Sequence, residues 1–415
     1  MDLRRRQLLR AALAASVAST GGLLASRVSF AAPGTGDQRF VFVLLRGALD
    51  GLAAVPAVGD PDYVRLRGEL DLSAAAALHP LDDTFALHPS LGFLAEQWQQ
   101  QQLAVVHAVA TPYRERSHFD AQDVLESGCA RPHASQSGWL NRALGGLPAA
   151  LRGTGRSAGV ALGANIPLVM RGPAEVASWS PGRMPDLTGD TLQRIAQMYS
   201  RDELLSQRLA DALAADEIAG QGAGMKGMGA GGARAGGGAQ LAQTAKATAS
   251  FLTQPEGPRV AVFETTGWDT HANQGAEQGA LSLRLAGLDA GLRALHEALG
   301  PAWNRTVVLV ATEFGRTVAI NGTRGTDHGT GAAAFLLGGA VRGGRVLGQW
   351  PGLKAAALYQ GRDLQPTTDL RGVIKTVLRD HLQVAQRRLD NEVFPDSAGV
   401  GYPQDLVQVR SRAPA

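Results

Sequence analysis

The residues of this chain that could do chemistry lie at the ends of apolar runs. Asp50 follows Arg39–Leu45, Asp269 and His271 follow Val260–Thr265, and Glu313 and Arg316 follow Thr306–Thr312. Asp327 and His328 precede a further run, Ala332–Gly338. Carboxylate oxygen and imidazole nitrogen are the ligands Zn²⁺ accepts where thiolate is lacking. The sole cysteine is Cys129, which excludes both a cysteine-built zinc site and an intramolecular disulfide framework. The Asp-x-His spacing of 269 and 271 puts two ligands on one side of an extended loop. Each piece also has a plainer role. A strand-end Asp commonly caps a turn or helix, and Glu313 and Arg316 can pair with each other. The joint occurrence argues for a metal site: several strands deliver charged side chains to one edge.

Ser117 is a different signal. Ser117-His118-Phe119-Asp120 opens a helix, so the default role of Ser117 is N-cap. The functional role is a nucleophile at a helix N-terminus, where the dipole and free N–H groups favour an alkoxide and a bound phosphate or sulfate. A nearby metal would lower the hydroxyl pKa. Arg316 or Arg46 would then steady the anionic oxygens. His118 is expected to point outward. His107, inside Val105–Val109, reads as a satisfied core histidine, and His381 as structural, at a helix C-terminus where a cation is favoured. His79, His88, His133 and His296 have no acidic or histidine partner at a useful spacing.

The elements that must position these residues follow from the apolar pattern. Arg39–Leu45, Leu103–Val109, Val260–Thr265, Thr306–Thr312 and Ala332–Gly338 are continuous apolar runs, the mark of strands buried on both faces. Residues 158–169 are a weaker strand region. Helices are expected from Ser117 and over 192–218, 239–252, 281–299 and 368–382. The alternation predicts a mostly parallel sheet covered on both faces, with ligands at the carboxyl ends of its strands. Asp327 and His328 join that edge only if the strand after them runs antiparallel. Gly220–Gly238 is almost all Gly, Ala and Met, and reads as a flexible, solvated loop.

The chain has 415 residues, 45% hydrophobic and 19% charged, an ordinary globular composition. Residues 1–31 read as a twin-arginine signal peptide: a basic head from Arg4 to Arg10, an Ala- and Leu-rich run, and a small-x-small cleavage site at Ser29-Phe30-Ala31. Their five arginines and one aspartate hold +4 of a formal charge of +3, so the remainder carries −1. No basic patch argues for nucleic acid, and no other stretch is long enough to span a membrane. Residues 32–415 are expected to form a single α/β domain, periplasmic or secreted, whose export partner is the twin-arginine machinery. Arg46-Gly47-Ala48-Leu49-Asp50-Gly51 after the first strand is not Gly-x-Gly-x-x-Gly, so an oxidoreductase with a dinucleotide site is disfavoured.

The motifs resemble those of the DUF1501 family of twin-arginine-exported bacterial proteins. They are Leu45–Leu52, Ser117–Asp123, Gly267–Gln274, Thr312–Thr317 and Asp327-His328-Gly329, and they span nearly all of the chain after the signal. That family in turn resembles the alkaline phosphatase and sulfatase superfamily. The resemblance implies a three-layer α/β sandwich with a mostly parallel central sheet, and a divalent metal, zinc, as one or two ions. It places Asp50 as the first-strand carboxylate, Ser117 as nucleophile, Asp269 and His271 as a ligand pair, Glu313 as a later ligand and His328 as the last. Phe314 stands where that superfamily has a ligand histidine, with Asp327 as a substitute, and the step from Asp269 to His271 is shorter than usual. Three outcomes stay open: a hydrolase of small phosphate or sulfate esters with one or two metals, a different ester class, or a non-catalytic binding or assembly module of the cell envelope.

Overall fold

The computed structural model describes residues 37–152, 157–180, 189–199, 202–223 and 237–408. The segment read as a signal, 1–31, lies outside these residues, as does 224–236 of the Gly-rich stretch. The chain divides into two compact units. The larger holds Gly36–Pro181 and Ile218–Ala415, and the smaller includes Gly182–Glu217, whose described residues are mainly helical.

Nine strands form one sheet among the described residues of the larger unit. They are β1 (Arg39–Arg46), β2 (Leu103–Ala110), β3 (Gly159–Leu162), β4 (Val176–Trp179), β5 (Val260–Thr266), β6 (Thr306–Thr312), β7 (Ala332–Leu337), β8 (Arg345–Leu347) and β9 (Thr368–Asp369). The order across the sheet is β8-β2-β7-β6-β1-β5-β3-β4, with β9 also paired to β2. Every pairing is parallel except those of β7, which runs antiparallel to β2 and β6.

The helices that frame the sheet and its carboxyl edge include α1 (Gly51–Ala54), α2 (Gly92–Gln99), α3 (His118–Ser127), α4 (Trp139–Leu144), α5 (Gly237–Thr253), α6 (Ala280–Leu299) and α7 (Leu370–Asp380). Strand side chains alternate between faces, and in β1 both sets are apolar. Phe40, Phe42 and Leu44 enter a core with Trp139 and Leu140 of α4 and with Val373, Ile374 and Val377 of α7. Val41, Val43 and Leu45 face the opposite way and are equally buried, on the side covered by α5 and α6. This is why the run shows no polar alternation, and it makes the fold a three-layer α/β sandwich. Full burial of each such side chain contributes about 1.5–3 kcal/mol.

Four local expectations change. The weak strand region 158–169 is β3 followed by a 3₁₀ turn at Leu168–Met170, and β4 lies beyond it. The helix over 192–218 is two helices, Gly189–Tyr199 and Glu203–Ala223. The second runs into the Gly-rich stretch, and α5 begins at Gly237. The last helix starts two residues late because Thr368–Asp369 pairs with β2, and Asp369 then caps α7 by accepting the Arg371 N–H at 2.9 Å.

Register decides what lies at the carboxyl edge. Arg46 of β1 pairs with Thr266 of β5, and Leu45 with Thr312 of β6, so the loops after all three strands emerge side by side. Because β7 is antiparallel, its first residue Ala332 sits opposite Val109 at the carboxyl end of β2. The segment before β7, with Asp327 and His328, and the segment after β2, leading to Ser117, therefore reach the same edge.

Candidate metal centre

Three histidines meet at this edge. The His328 Nε2 lies 2.9 Å from the His118 Nε2 and 3.0 Å from the His271 Nε2. Asp269 completes the group: its Oδ1 is 3.0 Å from the His271 Nε2 and 3.3 Å from the His328 Nε2, and its Oδ2 is 3.5 Å from the His118 Nε2. One ligand atom from each of His118, Asp269 and His328 falls within 4.8 Å of the others.

The far nitrogen of each ring settles its tautomer. His118 Nδ1 is 2.8 Å from Glu313 Oε1, His271 Nδ1 is 3.2 Å from Asp327 Oδ1, and His328 Nδ1 is 3.0 Å from the Arg116 carbonyl. A carbonyl or an ionised carboxylate only accepts, so each Nδ1 is the donor. In the neutral rings the three Nε2 lone pairs then face one another and the Asp269 carboxylate. That convergence of negative ends is stable only around a positive species, a proton or a metal ion. Histidine rings oriented through Nδ1 by carboxylate or carbonyl are the usual arrangement behind a bound metal.

Electrostatics agree with this division of roles. Burial pushes the Glu313 carboxyl up, but His118, the Gln122 amide and the Gly47 N–H hold it below its ordinary value. Burial likewise opposes ionisation of Asp269, and Arg316 beside it, with His271 and His118, keeps it lowered. Hydrogen bonds from Asn321 and His271 lower Asp327. The bond to Glu313 raises His118 above the usual imidazole value against its partial burial. Burial and the neighbouring His118 lower His328. Of the two rings, His118 is therefore the one that holds a proton more readily.

Local structure explains the aim of each group. Glu313 is 1% exposed, and its Oε1 takes the Gly47 N–H at 2.8 Å and the Gln122 Nε2 at 3.1 Å. Gly47 has φ +120°, and a Cβ there would lie 2.7 Å from the Asp269 nitrogen, so only glycine lets the loops after β1 and β5 approach this closely. His118 and Gln122 are four residues apart on α3 and share a face. Phe314 packs against the cluster, its ring centroid 4.9 Å from that of His118 and 5.1 Å from that of His328.

Of the residues singled out in the sequence, Asp269, His271 and His328 meet directly. Glu313 and Asp327 stand one step back, each behind a histidine. Asp50 is engaged elsewhere: its Oδ1 caps α1 through the Leu52 and Ala53 N–H groups at 3.1 and 3.2 Å, and its Oδ2 takes Arg67 at 2.5 Å and Gln274 at 2.7 Å. Arg316 donates to Asp269 at 2.5 Å and to Thr326, not to Glu313. Arg46 is held between Glu126 at 2.8 Å and Glu264 at 2.7 Å. Ser117 occupies the N-cap position of α3, yet its side chain makes no capping bond. Its N–H faces the Tyr113 hydroxyl at 3.4 Å.

The expectation that His118 points outward is overturned. The signal that could have found it is the i, i+4 pair His118 and Gln122 at the start of a helix. His133, expected to lack an acidic partner, lies 3.3 Å from Asp120 Oδ1. His107 is a core residue as expected, bonded to the Val55 carbonyl at 3.1 Å. His381 is structural but not cationic, since burial pushes it down to about 4 against the Arg39 carbonyl bond.

No described helix is long and apolar enough to cross a membrane. No curated protein matches the sequence. Among solved structures the chain is similar to the phosphonate monoester hydrolase of Agrobacterium radiobacter, with 10% identity over 84% of this chain and 74% of that one and a TM-score of 0.42. It is also similar to the C-terminal periplasmic domain of EcEptC from Escherichia coli in complex with Zn, with 11% identity over 90% and 93% of the two chains and a TM-score of 0.39. Such likenesses are loose, and nothing about this site follows from them. The family model described as "Protein of unknown function (DUF1501)" matches residues 37–393, a span that holds every residue of the cluster. The protein belongs to the DUF1501 family.

Proposed function

We propose that this protein is an exported, metal-dependent hydrolase of phosphate or sulfate esters. The observation that carries the reading is the convergence of three imidazole Nε2 atoms on the Asp269 carboxylate, with each Nδ1 fixed by an acceptor. His118, His271, His328 and Asp269 would hold the ion, with zinc favoured by a nitrogen and oxygen donor set. When bound, the ion supplies Lewis-acid stabilisation of an ester oxygen and eases ionisation of a nearby hydroxyl. Glu313, Asp327 and the Arg116 carbonyl keep the rings in the required tautomer, and Arg316 keeps Asp269 ionised.

Ser117 is the nucleophile in this reading. It stands next to His118, and its hydroxyl is not spent on capping. The bond from Ser117 Oγ to phosphorus or sulfur forms as the bond to the leaving oxygen breaks, and the serine proton ends on the released alcohol. Water then hydrolyses the serine ester. The substrate is a small anionic ester, met in the periplasm or outside the cell. The test is metal analysis of protein purified without chelator or affinity tag, followed by an ester screen. Protein without bound metal, or Ser117→Ala with full turnover on a cleaved ester, rejects this mechanism.

The second reading is a non-catalytic envelope module, favoured by the engagement of Arg46 and Arg316 with carboxylates. Neither guanidinium is then left to steady a substrate anion. In that case the histidine cluster holds a proton in place of metal, and metal analysis returns none.

A further inference from the structure

His328 is the middle ring of the cluster, and two arginines grip it from opposite ends. The Arg116 carbonyl accepts its Nδ1–H at 3.0 Å, and Arg362 Nη2 donates to its backbone carbonyl. Both arginines converge on one carboxylate that belongs to neither the metal group nor its histidine partners. Asp363 Oδ2 accepts from Arg116 Nε at 2.8 Å and Nη2 at 2.7 Å, and Asp363 Oδ1 accepts from Arg362 Nε at 2.8 Å. The Asp363 side chain is 0% exposed. Its backbone is anchored too, by bridges to Thr317 and Tyr359, while the neighbouring Arg316 bridges His328.

Arg116 has φ +63°, in the left-handed region that non-glycine residues rarely adopt. Such a conformation persists only where the surroundings enforce it. What it achieves is to turn the Arg116 carbonyl toward His328 just before α3 begins. The enforcing contacts are those of the Arg116 side chain, to Asp363 and to Gln360 Oε1 at 2.7 Å. If the carbonyl turns away, His328 loses the acceptor that fixes its proton on Nδ1, and its Nε2 is no longer committed as a lone pair.

The geometry points to Asp363 as a positioning residue for the metal centre, acting on His328 through Arg116 and Arg362; this rests on the metal reading above. A purely structural Asp363 would affect folding alone, whereas a positioning Asp363 sets metal affinity in protein that is still folded.

The test titrates cobalt(II) chloride into metal-free protein and follows the visible absorption of bound cobalt, with thermal unfolding of the metal-free protein as control. Two variants are compared with the unaltered chain. Asp363→Asn removes the charge that holds both arginines. Arg116→Ala removes the tether and keeps the Cβ that disfavours φ +63°, so the carbonyl is released to turn away. Loss of an outer partner typically weakens metal affinity about 10–100-fold, and both variants are expected to show that loss and an altered cobalt spectrum. If Asp363→Asn does not fold, Arg116→Ala decides alone, because Arg116 is partly exposed and Arg362 still pairs with Asp363. Folded variants that bind cobalt as the unaltered chain does overturn the inference and leave the metal reading standing. An unaltered chain that gives no cobalt band overturns both.

Discussion

Glu313→Gln is the substitution that best separates the role of a metal-centre carboxylate from that of a buried acceptor. The glutamine is isosteric, and the structure says how it would be satisfied. Its carbonyl oxygen can stay at the Oε1 position, taking the Gly47, His118 and Gln122 donors. Its amide then faces the Thr312 hydroxyl, now 3.0 Å from Oε2, and Thr312 keeps its own proton on the Leu45 carbonyl at 2.8 Å. The three donors at Oε1 stay paired, so the main cost is the loss of charge assistance, about 1–2 kcal/mol. Glu313→Ala instead strands the buried Gly47 N–H and opens a void, at about 2–4 kcal/mol. Metal affinity should fall about 10–100-fold in Glu313→Gln, because His118 loses its carboxylate.

Acid provides an internal check. The folded pKa of Glu313 lies below its ordinary 4.5. Its contribution is therefore complete above that value and disappears as pH falls through the lower, folded one. The stability gap between the unaltered chain and Glu313→Gln should close in acid. The assays are urea unfolding of metal-free protein across pH and competition for zinc with a chromophoric chelator. Unchanged zinc affinity in Glu313→Gln, or a cost equal to that of Glu313→Ala, would refute the assignment.

Three further outcomes are expected. In metal-free protein His118 titrates above 6.5, so its contribution to stability is complete below 6.5 and is lost as pH rises through the folded value; zinc, which competes with that proton, should bind more tightly over the same rise. Proton NMR of the histidine ring signals, with zinc titrations at each pH, checks both. Ser117→Ala should abolish ester turnover while retaining metal, and should cost well under the typical ~1 kcal/mol of a lost N-cap, since no capping bond exists to lose. Asp50→Ala should destabilise the fold by about 3–5 kcal/mol by stranding the buried Arg67 charge, yet leave metal content unchanged in the fraction that folds; unfolding curves and metal analysis of the purified variant decide it.

The sequence by itself determined the carboxyl edge. Short continuous apolar runs mark strands buried on both faces, and the polar residues that end them fall at the rim of the sheet. Asp269 and His271 were legible for that reason, and so were the core positions of β1 and β6. Tertiary structure decided the rest, because it depended on which chain segments meet. Asp50 and Glu313 both follow buried strands and look equivalent in the sequence. They part because α1 begins directly after Asp50 and Arg67 folds back onto it, whereas Glu313 meets the start of α3. His118 reads as an outward neighbour of Ser117 until the left-handed turn at Arg116 rotates the entry to the helix and swings the ring inward. The antiparallel course of β7, which brings His328 to the other histidines, is fixed by pairing with β2 and β6 across long stretches of chain. No periodicity within Ala332–Leu337 records that direction, since an apolar strand buried on both faces reads the same either way.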